Sequence, residues 1–413
     1  MRSITLSELV RQTRELVSDP EDRLYGDLDA SMADAIKCLL EGIAVSEVEK
    51  RTGVRLYERG ESRQDYRNGY RERQVQTAYK TITIRIPRLR YQGYVPSYLE
   101  PNHRAIAEVE DWVAKALLVG MRRADIIRLM EETTGCRPSG KLIKRVQKRL
   151  DEQVKKWKER ALFGRYVYLY LDAAWVKDIV GVNASRICVL TGIGITEDGQ
   201  KELLGFERAQ RESESTWRGF LSRMVQRGLN PSALRLVISD EHKGLISAVA
   251  EVLGDVPYQL CWAHRVRNIL KAAEKKDRHE LLEGLRRIYR AAHKVAAKAA
   301  FREWRERWSQ KYPQLVDNLE EDLGYLLSFY DCPEQRWKYL RTTNPIERVF
   351  LELRRRRFGC GAFANRESSE RIVFGVFLWL NRLWEPKSVW RNRARRRKIA
   401  DSSLRRTPEM LVA

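Results

Sequence analysis

Cysteines at metal-site spacing are missing from this chain. Its six cysteines, Cys38, Cys136, Cys188, Cys261, Cys332 and Cys360, are scattered and form no C-x-x-C pair, so neither a zinc ribbon nor a disulfide framework is indicated. The five histidines make no ligand cluster among themselves. Long apolar runs are missing as well: the longest, Ile372 to Leu380, has nine residues, against the ~20 needed to span a bilayer. The opening residues, MRSITLSELVRQTRELV, carry charges throughout and lack the apolar centre of a secretory signal. No internal repeat is visible. A membrane-spanning helix and a disulfide-stapled secreted scaffold are therefore not expected, and a cytoplasmic protein without a membrane partner is.

Positive charge, by contrast, is abundant. Lysine and arginine number 78 against 56 acidic residues, a net charge of +22. A protein this basic meets a polyanion, with nucleic acid the first candidate and an anionic membrane surface the second. Hydrophobic residues make up 43% of the 413, enough for packed cores, and the length predicts about two to four domains.

Residues 1–66 read as helical, with amphipathic segments at Leu6 to Val10, Met32 to Leu40 and Val45 to Arg51. Ser46-x-x-Glu49 resembles a capping box for the third, and Gly53 a stop. Residues 67–103 form a basic β element. Ile82, Ile84 and Ile86 alternate with Thr81, Thr83 and Arg85, the pattern of a half-buried strand. Asn68-Gly69 is a turn signal. Arg67, Arg71, Arg73, Arg85 and Arg88 would let such a ribbon track a phosphate backbone, although a solvated strand face reads the same way. Residues 104–160 turn helical again: Ile106 to Leu118, Arg123 to Thr133, then Ser139 capping a helix from Gly140 to about Lys155. Helix, short turn and basic helix match helix-turn-helix geometry, with Lys141, Lys144, Arg145 and Lys148 on the recognition helix. Any helical hairpin gives a similar pattern.

Strands follow in residues 161–269. The run Tyr166 to Leu171 ends at Asp172; Arg186 to Ile195 and Leu203 to Arg208 are the next two. A helix at Thr216 to Arg227, a strand at Leu234 to Ile238, a helix at Leu245 to Leu253 and a short strand at Tyr258 to Cys261 complete the series. Three strands, helix, strand, helix, strand is the order of the ribonuclease H-like fold, in which the first and fourth strands are neighbours. Asp172 and Asp240 would then meet. Residues 270–337 lose the strand pattern and read as a helical insertion. Residues 338–390 return to the catalytic fold, and 391–413 are a basic tail containing RNRARRRK. The fold class expected is mixed α+β: a helical and β-ribbon DNA-binding N-terminal region, then a ribonuclease H-like domain interrupted by an all-helical insertion.

Within 338–390, Asn344 reads as an N-cap, Pro345 as the first helical position, and Ile346, Val349, Phe350 and Leu353 as one apolar stripe. Glu347 lies in the first turn, ahead of Arg354, Arg355, Arg356 and Arg357. Phosphodiester chemistry uses two divalent ions about 4 Å apart, and magnesium or manganese prefers carboxylate oxygens. Asp172, Asp240 and Glu347 are the acids that separate elements would supply. Each has a structural alternative: a strand-end turn for Asp172, a helix cap for Asp240, a capping box with Asn344 for Glu347. Asp178, Glu202 and Glu241 remain substitutes on pattern alone.

Several stretches give the chain a family resemblance: Arg67-Asn68-Gly69-Tyr70 with Ile86-Pro87-Arg88; Leu171-Asp172-Ala173 with Lys177; ISDEHKGL from Ile238; QLCWAHRVRN from Gln259; and TTNPIE from Thr342 ahead of an arginine-rich helix. In this order and spacing, from about residue 64 onward, the chain resembles the bacterial insertion-sequence transposases of the Mutator type. The resemblance implies a catalytic Asp-Asp-Glu triad on Asp172, Asp240 and Glu347, with a helical insertion before the glutamate. It also implies strand cleavage that leaves a 3′-hydroxyl and then strand transfer, movement through an excised circle, and a homodimer that pairs two element ends. The partners implied are double-stranded inverted-repeat ends and target DNA, with the protein at the nucleoid when bound. Glu241-His242 departs from the family, where glycine and a small or apolar residue are usual. Cys261-x-x-His264 matches the family's Cys/Asp-x-x-His element; His264 either orders the acids and contacts a phosphate or is a hydrogen-bonded core histidine. Lys177, Arg265, Arg267 and Arg354 to Arg357 are expected on DNA. Trp308 is expected either to stack on an unpaired base or to pack in a core. Two other classes stay open: a sequence-specific repressor, which needs no triad, and a structure-specific nuclease, which would cut without joining.

Overall fold

The computed structural model describes residues 22–58, 61, 63–77, 80–99, 105–134, 137–180, 183–357, 365–385 and 388–390. The expected basic tail and the first amphipathic segment lie outside them. The described chain is mixed α+β and divides into two compact units near Lys148 and Arg149.

The N-terminal unit opens with one long helix, α1 (Asp22–Thr52), where two shorter segments were expected. Ser46 is therefore a mid-helix residue and caps nothing. The only breaker between the two segments is Gly42, and one glycine costs a helix about 1 kcal/mol, which tertiary burial of Leu40, Ala44 and Val48 offsets. Gly53 ends the helix as expected, at φ +73°. β1 (Arg67–Gln76) and β2 (Thr81–Leu89) form an antiparallel hairpin with Ile82, Ile84 and Ile86 buried. Asn68-Gly69 does not make the hairpin turn. It sits at a register shift inside β1, with Gly69 at φ +71°, so the left-handed residue bulges the strand instead. Three helices follow, α2 (Ala107–Leu118), α3 (Arg123–Thr134) and α4 (Gly140–Glu159). α4 buries Leu142, Ile143, Val146 and Leu150 and exposes Lys141, Lys144 and Lys148.

The C-terminal unit is built on a five-stranded sheet: β3 (Tyr166–Val180), β4 (Asn183–Thr196), β5 (Lys201–Ala209), β6 (Leu236–Ser239) and β7 (Tyr258–Leu260), in the order β5-β4-β3-β6-β7. β3, β4 and β5 are antiparallel neighbours, whereas β6 and β7 add in parallel. The parallel joins need crossovers, supplied by α5 (Glu214–Gln226) and α6 (Lys243–Leu253). The first and fourth strands are thus neighbours, as expected. β3 is longer than the sequence pattern indicated. Asp172 interrupts the apolar run but not the ladder, which continues opposite β4 to Val180. Asp172 is a mid-strand residue, and the strand-end turn reading is wrong.

After β7 come α7 (Trp262–Ala272), α8 (Arg278–Tyr289), α9 (Lys294–Trp308), α10 (Pro313–Leu326), the single turn α11 (Trp337–Leu340), α12 (Asn344–Arg357) and α13 (Arg366–Trp384). Residues 270–337 contain no strand. Buried Gln259 joins this helical stretch to the sheet: its Nε2 donates to the Leu326 carbonyl at 3.0 Å and its Oε1 accepts from Phe329 N at 2.7 Å. α13 packs on β5, with Leu203 N donating to Asn381 Oδ1 at 2.7 Å. No helix among the described residues is long and apolar enough to cross a membrane.

Candidate active site

Strand register brings the first two acids together. In the parallel β3–β6 pair, Tyr168 lies opposite Leu236 and Tyr170 opposite Ile238. Two residues further along each chain are Asp172 and Asp240. Asp172 is 7% exposed, and its Oδ1 accepts from Ala173 N at 2.7 Å. Burial, reinforced by the neighbouring Asp240 charge, pushes its carboxyl up to about 7. Burial also raises Asp240, against the pull of His264 and His242. One oxygen of Asp240, Oδ1, is buried without a hydrogen-bond partner. Asp240 does not cap α6. His242 does, accepting from Leu245 N at 3.2 Å. That gives the Glu241-His242 departure a local role, and Glu241 itself is engaged by Arg265 at 2.7 Å and by Asn268.

Glu347 arrives on α12. The Thr343 carbonyl accepts the first helical bonds, from Ile346 N and Glu347 N, so the helix starts one residue earlier than expected. Thr343 does not cap with its hydroxyl, which donates to Cys261 Sγ at 3.2 Å, as does its backbone N–H. Ile346, Val349, Phe350 and Leu353 are all buried, the predicted stripe. Glu347 does not reach back to the helix start as a capping-box partner would. Its Oε1 lies 3.5 Å from Arg267 and 3.9 Å from His264 Nε2. Asp172, His264, Arg267, Glu347 and Arg354 line one cleft of about 540 Å³.

Cys261 ends β7's connection to α7, and His264 lies in the first turn of that helix. Burial alone would raise the thiol, but His264 and the Thr343 donors hold it below its ordinary range. Cys261 in turn raises His264 to about 9, outweighing its burial, with Asp172 and Asp240 adding to the effect. The imidazole is thus cationic at neutral pH, within an acidic surround. His264 Nδ1 is buried without a partner of good geometry, while the ring engages the Cys261 thiol and feels the charges of Asp172 and Asp240, so the residue is both tied into the fold and placed beside the acids.

An ion is tested by what these groups offer. Buried Asp172, the half-buried Asp240 charge that repels it, and an orphaned Asp240 oxygen match an oxygen-preferring divalent cation. Among the described residues, however, no three His, Cys, Asp or Glu side chains gather closely enough to enclose a metal. The donor chemistry fits, and the groups that meet Glu347 are Arg267 and His264. Sequence reasoning missed Glu212, whose carboxyl is raised by burial and by Asp240 and which accepts from Trp217 Nε1 at 3.1 Å. It sits in the turn between β5 and α5, where nothing local marks it.

The residues expected on DNA divide. Lys141, Lys144, Lys148, Arg71, Arg85 and Arg88 are exposed. Arg145 is tied to Glu110, itself 5% exposed. Arg67 is mostly buried beside Glu49 at 3.4 Å, and Arg73 is half-buried. Arg265 does not face solvent: it is buried between Glu241 and Asp322. Arg355 pairs with Glu352 at 2.7 Å. The side chains of Lys177, Arg356 and Arg357 lie outside the described residues. Trp308 is 5% exposed and packs against Tyr312 with ring centroids 5.8 Å apart. Its place is the core of the helical stretch, not a base-stacking platform, because α9 turns its apolar face inward with Ala297, Phe301 and Trp304.

A profile described as "Transposase, Mutator family" matches residues 7–386. The chain is similar to the transposase for insertion sequence element ISRM5 of Rhizobium meliloti (strain 1021), at 32% identity over 354 residues, 86% of this chain and 88% of that protein. It is similar to the transposase for insertion sequence element IS406 of Burkholderia multivorans (strain ATCC 17616 / 249), at 31% identity, covering 89% and 95%. The transposase for insertion sequence element IS256 in transposon Tn4001 of Staphylococcus aureus is 31% identical over 334 residues, 79% of this chain and 84% of that one.

Proposed function

Because the chain belongs to the Mutator family of transposases, we propose that it is a DNA transposase whose reaction centre is the cleft of Asp172, Asp240 and Glu347. The observation that carries this reading is the β3–β6 register, which brings buried Asp172, on the cleft wall, together with half-buried Asp240 two residues past its last pair. We read the C-terminal unit as a ribonuclease H-like catalytic domain in two parts, 161–269 and 338–390, with 270–337 inserted. Residues 1–160 would bind the element's inverted-repeat ends, and a homodimer would pair two ends.

Asp172 and Asp240 would hold a divalent ion, with Glu347 as the third acid. When bound, magnesium or manganese would polarise the phosphodiester and activate the attacking oxygen. The chain's own groups do the rest. Arg267 and Arg354 present guanidinium groups to an incoming phosphate. Cationic His264 limits the repulsion between that phosphate and the acids. Water opens one P–O bond at the element's end and leaves a 3′-hydroxyl. That hydroxyl then attacks a second phosphorus and displaces its 3′-oxygen, with no covalent protein–DNA intermediate. The test is to incubate the protein and magnesium with a labelled duplex carrying the DNA end that bounds its own reading frame. Nicked and then joined strands are expected; nicking with no joined product would instead identify a nuclease.

A further inference from the structure

The cleft holds one group that the acids and arginines do not explain. Trp175 is 42% exposed and Trp379 39%, whereas Trp217, Trp262, Trp304, Trp308 and Trp384 are buried; of the two exposed indoles, Trp175 is the one at the cleft. It lines the same cleft as Asp172 and Glu347. Apolar surface left in water at a cleft is available to a partner, and an indole exposed in mid-strand offers a flat face to one.

Its position suits an unpaired base. Trp175 lies three residues past Asp172, about 10 Å along an extended strand. Paired positions between β3 and β6 stop at Tyr170, and β5 pairs with β4 no further out than Cys188. Beyond those points β3 and β4 run on as a two-stranded ribbon, and β3 borders the cleft as an edge. Both line the cleft, Asp172 buried and Trp175 exposed, so the indole is the more accessible of the two. There the Arg186 guanidinium lies 5.5 Å from the ring centroid, a cation–π contact that holds the indole and brings a positive charge.

Asp172 is buried, so a phosphate that reaches it must leave the regular duplex surface, and the base beside it loses its stack. An exposed aromatic ring offsets that loss and accepts any base, because every base has a π-face. We propose that Trp175 is a positioning residue that stacks on an unpaired base next to the reacting phosphate, while Arg186 braces the ring and meets a neighbouring phosphate. The proposal rests on the cleft being the reaction centre.

The experiment places 2-aminopurine at the base flanking the cleavage point of the same duplex end and follows its fluorescence on binding, with calcium replacing magnesium. Stacking on the indole should quench the probe in the wild-type complex. Trp175→Ala should lose that quench and slow cleavage about 5- to 150-fold, the range that one base–aromatic stack of about 1–3 kcal/mol represents. Trp175→Phe should retain most of both. Glu347→Gln should keep the quench without cutting, so a wrong assignment of the acids appears as normal cutting by that variant and leaves the probe comparison intact. An Ala complex with the wild-type signal overturns the proposal, as does equal loss in Ala and Phe accompanied by a lowered melting temperature.

Discussion

Asp172 shows how a single residue is held against its preference. Its carboxyl is pushed from an ordinary 3.8 up to about 7 by burial and by Asp240. Below about pH 4 the group is protonated both folded and unfolded, and the shift has no effect on stability. As pH rises toward 7 the unfolded chain ionises first, so stability falls, and above 7 the penalty is complete. Asp172→Asn should therefore melt higher than wild type at pH 8 in metal-free buffer, by an amount on the order of 2–4 kcal/mol, with the gap closing near pH 4. Magnesium should narrow the gap by stabilising the wild type alone. A variant that melts lower at pH 8 would mean the carboxylate is satisfied by the protein itself. The approach of Asp172 and Asp240 was legible in the sequence, because strand order alone makes their strands neighbours. Glu212 was not, since a lone acid in a turn carries no pattern, and only the folded charge distribution places it near Asp240.

At the scale of elements, α4 separates two kinds of basic residue that look identical in sequence. Lys141, Lys144 and Lys148 are exposed, whereas Arg145 is bound to buried Glu110. Replacing the three lysines by alanine should leave the melting temperature nearly unchanged. It should flatten the salt dependence of DNA binding by about 0.9 in log–log slope for each phosphate no longer neutralised. Arg145→Ala should instead destabilise, because it strands the Glu110 carboxylate. α9 gives the complementary lesson. Trp308→Ala should cost roughly 3–5 kcal/mol, as a buried tryptophan does, with activity per folded molecule preserved; unchanged stability together with a missing strand-processing step would restore the base-stacking reading. Hydrophobic periodicity located most of the elements, with ends displaced by up to about four residues. It erred where one polar or flexible residue stood within a regular stretch: Asp172 in β3, Gly42 in α1 and Gly69 in β1. In each case tertiary pairing or burial outweighed the local break signal.

For the whole molecule, the excess of 22 positive charges fits a protein that meets DNA, but it does not say where. Many of the cations are committed to ion pairs within the fold, such as Arg265 with Asp322 and Arg336 with Glu197 at 2.7 Å. The exposed cations include Lys141, Lys144 and Lys148 of α4, Arg71, Arg85 and Arg88 of the hairpin, and Arg267 and Arg354 at the cleft. The central claim is that Asp172, Asp240 and Glu347 act as one unit, and Glu347 is the member that comes from a helix rather than from the sheet. Glu347→Gln keeps the side chain's shape and removes one negative charge. The decisive measurement is nicking and joining of a labelled element end by this variant in magnesium or manganese, with DNA binding measured alongside. If the three acids work together, both reactions are abolished while binding persists, and Asp172→Asn and Asp240→Asn behave alike without additive losses. Near-normal nicking by Glu347→Gln would contradict that claim.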